Sequence, residues 1–120
     1  MNKKPVIAII DDDAPLRDAI DNLLRAAGFE TQLFASGEAF LEGLSTGASV
    51  LVSDIRMYDL SGLDLKAVLN ERGITLPVIF ITAVLNDDIV AQATLAGAIT
   101  CLGKPFNDEE LIAAIRSALS

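Results

Sequence analysis

The sequence predicts an α/β domain of five strand–helix units around a parallel sheet, and two observations carry that expectation. Short, mostly aliphatic runs recur at residues 6–10, 50–52, 78–81 and 99–102. Amphipathic segments with apolar residues at helical spacing lie between them. Such alternation is what βα units sharing one parallel sheet produce. The size agrees: 120 residues suit one domain, here 1–120. A composition 52% hydrophobic but only 5% aromatic supplies a largely aliphatic core.

The elements follow in order. Strand one is expected at 5–10, and Asp13 is placed to cap the next helix, with Pro15 in a first turn where a missing N–H costs little. Leu16, Ile20, Leu23, Leu24 and Ala27 form that helix's apolar stripe, and Gly28 suits a left-handed stop. Strand two, at 30–34, is short and mixed, as befits a sheet edge. Ser36 then caps a helix carrying Phe40, Leu41 and Leu44. Strand three spans 49–54, and helix three spans 63–72, with Leu65, Val68 and Leu69 inward and Gly73 at its end. Strand four covers 77–82. Asn86, Asp87 and Asp88 open helix four, where negative charge complements the helix dipole. Strand five covers 99–103. Asn107 with Glu110 resembles a capping box for the last helix, which carries Leu111, Ile112, Ile115 and Leu119.

Charge and composition exclude several classes. A net charge of −8 argues against direct nucleic-acid binding through phosphate contacts. The single cysteine, Cys101, rules out an internal disulfide. Asp11 to Asp13 interrupt any signal-peptide core, and no stretch approaches the roughly 18 apolar residues of a membrane span. The expectation is a cytoplasmic domain without membrane contact.

The chemistry gathers at the strand ends. Asp11, Asp12, Asp54, Thr82 and Lys104 each end, or nearly end, an apolar run, and open α/β sheets bind ligands outside the carboxyl ends of their strands. Two adjacent carboxylates after a hydrophobic strand gain nothing structurally and repel each other unless a cation intervenes. With Asp54 as the third acid they suit Mg²⁺, which takes one or two carboxylates, waters and a phosphate oxygen. Asp13, Asp59 and Asp64 are better explained as capping or loop-initiating residues. A carboxylate can attack phosphorus to form an acyl phosphate, and metal and ammonium groups then neutralise the phosphoryl oxygens. Lys104 precedes Pro105, which biases it away from helical geometry and makes it a positioned cation reaching over the sheet edge. A cis Lys104–Pro105 bond would fix that aim further. Thr82 offers a hydroxyl, and small Ala83 beside it leaves room for an approaching group.

Taken together, Asp11-Asp12-Asp13, Asp54 followed by Arg56-Met57 and Ser61-Gly62, Thr82-Ala83 and Lys104-Pro105-Phe106 resemble the receiver domain of two-component response regulators. The resemblance covers the whole chain, and the segment around Asp54 is most similar to the nitrogen-fixation regulator type. It implies a flavodoxin-like (βα)5 fold, a doubly wound parallel five-stranded sheet of order 2-1-3-4-5. It implies Asp54 as phosphoacceptor, Mg²⁺ held by Asp11, Asp12, Asp54 and the Arg56 backbone carbonyl, and Thr82 and Lys104 on the phosphoryl oxygens. The implied donor is a phosphohistidine on a sensor histidine kinase. The implied readout is the surface of helix four, strand five and helix five, used for dimerisation or contact with an output domain outside this chain.

Two positions depart from the family's pattern. Tyr58 stands where a proline is usual. Cys101 stands three positions before the lysine, where the family usually carries an aromatic that swings inward with the threonine. A thiol cannot fill that volume, so Phe106 or Leu102 become candidates for the switching side chain. Two other readings compete. A degenerate receiver could serve as a constitutive docking module. An Asp-nucleophile Mg²⁺ phosphohydrolase would place a second acid two residues after the nucleophile, where this chain has Arg56.

Overall fold

A computed structural model describes residues 4–43, 47–57 and 60–120. The elements alternate as expected: β1 (Val6–Ile10), α1 (Ala14–Ala26), β2 (Glu30–Phe34), α2 (Gly37–Glu42), β3 (Val50–Asp54), α3 (Gly62–Glu71), β4 (Val78–Thr82), α4 (Asp87–Ala96), β5 (Thr100–Gly103) and α5 (Asp108–Leu119). All pairings are parallel and the strand order is β2-β1-β3-β4-β5. This is the flavodoxin-like, doubly wound arrangement the sequence implied.

Strand periodicity sorts the core into two layers, because successive side chains point to opposite faces. Ile7, Ile9, Val50, Val52, Ile79 and Ile81 pack under α1 and α5 against Ile20, Leu24, Leu111 and Ile115. Ala8, Ile10, Leu51, Val78 and Phe80 face the other side, against Phe40 of α2, Leu65 and Leu69 of α3, and Ala93 of α4. Because both faces are covered, the central strands read as nearly continuous aliphatic runs.

The capping residues act as expected. Asp13 accepts from the Leu16 N–H at 3.2 Å, Ser36 from Ala39 at 3.1 Å and Asn86 from Ile89 at 2.9 Å. Ser61, unassigned from sequence, caps α3 through the Asp64 N–H at 3.0 Å. Asn107 caps α5, but through the Glu109 N–H at 2.8 Å, one residue short of the expected capping-box position. Gly28 adopts a left-handed φ of 98° just past α1.

Helix α3 differs from expectation in one respect. Its buried positions are Gly62, Leu65, Lys66 and Leu69, while Val68 is only half-buried. Lys66 is 7% exposed. Its Nζ donates to Asn70 Oδ1 at 2.8 Å, and Asn70 Nδ2 donates to the Ala96 carbonyl at 3.1 Å. Helix α4 has no basic residue in its own last turn. The Lys66 ammonium therefore supplies, from a neighbouring helix, the positive charge that a helix carboxyl end favours. Leu44, Tyr58 and Asp59 lie outside the described residues.

Candidate functional site

Strand register builds the site. Ile10 pairs with Ser53 and Asp54 with Ile81, so the residues that follow β1 stand level with the end of β3. Thr82 pairs with Gly103, which puts Lys104 one residue beyond the end of β4. Acids, hydroxyl and ammonium thus share one edge although they come from four strands.

Asp11, Asp12 and Asp54 each offer a carboxylate oxygen within 4.8 Å of the others. Asp11 is fully buried and Asp12 exposed. The Asp54 side chain retains 9% exposure, so it is nearly but not wholly buried. Lys104 reaches across the edge as its sequence context suggested. Its Nζ donates to Asp54 Oδ2 at 2.9 Å and to Asp11 Oδ2 at 3.2 Å. The Lys104 N–H donates to the Thr82 carbonyl at 2.7 Å, and the Lys104–Pro105 bond is cis.

The electrostatics follow from burial and pairing. Burial raises the Asp11 carboxyl above its usual value, against the lowering effects of the Asp13 N–H and Lys104. For Lys104, burial pushes the ammonium down, but the hydrogen bond to Asp54 and the charges of Asp11 and Asp54 outweigh it. Its pKa stands above the usual value. Asp11 and Asp54 therefore share the Lys104 ammonium, while Asp12 lies beside them at the edge. Three carboxylates are hard oxygen donors, the set that Mg²⁺ accepts, so the residues present fit that ion.

The other anticipated residues are placed less simply. Thr82 is buried at 1% exposure, and its hydroxyl is engaged with the turn that follows. It accepts from the Val84 N–H at 3.2 Å and lies 3.5 Å from the Val84 carbonyl. Arg56 is exposed and its N–H donates to Asp54 Oδ1 at 3.3 Å. Gly62 has a steric reason: a Cβ there would collide with the Asp54 carbonyl oxygen, so only glycine lets α3 start against this strand end. Cys101 faces the α3–α4 layer and lines a cavity of about 160 Å³ with Val90, Ala93, Thr94 and Ile99. Phe106 and Leu102 pack in the opposite layer, with α1 and α5. Neither packs in the layer that Cys101 faces, a correction to the expectation; for Leu102 side-chain alternation along β5 explains it, while Phe106 lies beyond the strand, after the cis Lys104–Pro105 bond.

One residue at this edge went unnoticed in the sequence. Arg17 Nη1 donates to the Asp11 carbonyl at 2.7 Å. The available signal was a cation near the amino end of a helix, where the dipole disfavours it.

Fold and site together place the chain in a class, and comparison names it. The pattern of the response regulator receiver domain family matches residues 7–116, and the chain belongs to that family. Receiver domains of response regulators are signalling modules of two-component systems. The chain is 38% identical over 119 residues to the response regulator protein TodT of Pseudomonas putida, covering 98% of this chain and 52% of that protein. It is 38% identical over 122 residues to the transcriptional regulatory protein FixJ of Bradyrhizobium diazoefficiens, covering 99% of this chain and 58% of that one. The chain thus spans about half the length of such relatives. Among solved structures, FixJ-N superposes with a TM-score of 0.90 at 34% identity, covering 98% of this chain and 95% of that one. Among the described residues no helix is long and apolar enough to cross a membrane.

Proposed function

We propose that residues 1–120 form one phosphoacceptor receiver domain in which Asp54 takes a phosphoryl group from a phosphohistidine on a sensor histidine kinase. An Asp54 carboxylate oxygen attacks phosphorus, the phosphorus–nitrogen bond breaks, and the imidazole leaves with its electron pair. Asp11, Asp12, Asp54 and the Arg56 carbonyl would hold Mg²⁺, which would neutralise charge on the phosphoryl oxygens. Lys104 moves from the carboxylate pair onto a phosphoryl oxygen, and Thr82 donates to another. The domain acts on itself by phosphorylation and dephosphorylation and turns over no external substrate.

The observation that carries this reading is the partly open Asp54 carboxylate, joined to Asp11 through one ammonium and set among three acids. The signal follows from Thr82. Its hydroxyl must leave the Val84 turn to reach a phosphoryl group, which releases the β4–α4 connection and alters the α4–β5–α5 face. That face presents exposed Val84, Leu85, Val90, Leu95 and Ile99, apolar chemistry that suits a second copy or an output domain outside this chain. The domain works in the cytoplasm and binds no nucleic acid itself. A phosphohydrolase lacks support, because the position two residues after Asp54 is an exposed arginine.

Intact-mass measurement after incubation with Mg²⁺ and acetyl phosphate tests the reading. The expected result is a gain of about one phosphate mass, absent in Asp54→Asn and in the presence of chelator. No adduct on the native chain would leave a constitutive docking module instead.

A further inference from the structure

We propose that Arg17 is a positioning residue for the divalent-cation site, an inference resting on the reading of Asp11, Asp12 and Asp54 as Mg²⁺ ligands. Its guanidinium holds the peptide that joins the two adjacent acids, and so sets the direction in which Asp12 points. The Asp11 N–H makes the last ladder contact with β2, donating to the Phe34 carbonyl at 3.3 Å. Beyond that point the chain leaves the sheet, and no further strand pairing aligns it. The Asp11 carboxylate is oriented by the Asp13 N–H, which donates to its Oδ1 at 2.9 Å, and by Lys104. The Asp12 carboxylate is exposed, so it takes its direction from the backbone that carries it. Arg17 grips that backbone, donating to the Asp11 carbonyl at 2.7 Å from one turn into α1.

The placement is otherwise costly. A cation near the amino end of a helix opposes the dipole, and α1 already carries Arg25 in its last turn, where the dipole favours it. A planar fork anchored on a carbonyl gives directional control that a mobile point charge does not.

Two explanations of Arg17 predict opposite signs. Acting only as a positive charge, it repels an incoming Mg²⁺, and its removal tightens binding. Acting by position, it presents Asp12, and its removal weakens binding by roughly tenfold, the scale typical of groups that orient metal ligands. The test is direct Mg²⁺ titration of the full chain, followed by calorimetry without any phosphoryl donor, on the native protein, Arg17→Lys and Arg17→Met, with thermal unfolding to show that each is folded. The expected order of affinity is native, then Arg17→Lys, then Arg17→Met. Unchanged or tighter binding by Arg17→Met overturns the proposal. If Arg17→Met does not fold, Arg17→Lys decides: it keeps the charge but falls an atom short, so weaker binding supports positioning and an unchanged affinity overturns it. A native chain that binds no Mg²⁺ defeats the site reading and this inference together, whereas native binding with an indifferent Arg17→Met defeats only the inference.

Discussion

In the central strands β3 and β4 every residue is buried, whereas all four residues of β5 are half-buried and α4 buries Ala93 alone. The acids belong to the first region. Asp54 ends β3, and Asp11 follows β1 directly, a strand buried along four of its five positions. The Val84 turn, Cys101 and the cavity of about 160 Å³ belong to the second. The proposed metal and phosphoryl site needs ligands held to a narrow geometry, which dense packing supplies. The proposed signalling face needs segments that rearrange cheaply, and few buried apolar contacts supply that. Helix α4 is tied at its carboxyl end by Lys66 and Asn70, while its amino end follows a turn held by one threonine hydroxyl. The molecule thus places rigidity and freedom on adjacent strands of one sheet.

That contrast can be broken most forcefully in the core. Phe80→Ala, on β4, should cost about 3–5 kcal/mol in urea unfolding, while Leu95→Ala, 88% exposed on α4, should stay within about 0.5 kcal/mol. Similar losses for the two would mean that α4 is packed as firmly as the central strands. A smaller effect is expected where α3 ties down α4. Asn70→Ala should cost roughly 1 kcal/mol and speed amide exchange at residues 94–98 without changing residues 6–10. Uniform acceleration across both segments would erase the distinction.

The third effect is subtler and has the opposite sign. Burial holds the Asp11 carboxyl above its usual 3.8 in the folded protein. Over the interval above that value the folded chain keeps a proton that the unfolded chain releases. Stability without metal therefore falls as pH rises through the interval, then levels off. Asp11→Asn should remove that decline and raise the urea midpoint near neutral pH in the presence of chelator, while weakening Mg²⁺ binding. A lower midpoint would show that the Lys104 contact outweighs the cost of burying this acid.

Much of the fold was legible because its signals are local. Strand two lies at 30–34 as expected and strand four ends at 82 as expected, starting one residue later than 77, and Asp13, Ser36, Asn86 and Asn107 each cap the helix they precede. The strand-end position of Asp11, Asp54, Thr82 and Lys104 was equally legible, since one rule about parallel sheets converts it into proximity. The burial of Lys66 was not, because its helical position reads as polar and only the neighbouring α4 terminus makes it an inward site. Nor did the sequence reveal that Phe106 and Leu102 face away from α4, or that the Thr82 hydroxyl is already occupied by Val84.

The sequence by itself determined which segments are strand or helix, where each begins to within one residue, and which chemical groups stand at the strand ends. Those properties depend on neighbours within a few residues, through periodicity, caps and strand boundaries. Only the tertiary structure decided that Lys104 bridges Asp11 and Asp54, that Arg17 grips the Asp11 peptide, and that a cavity lies beside Cys101. Each of these joins separate elements, so it depends on strand register and helix placement, which no single segment of the chain specifies.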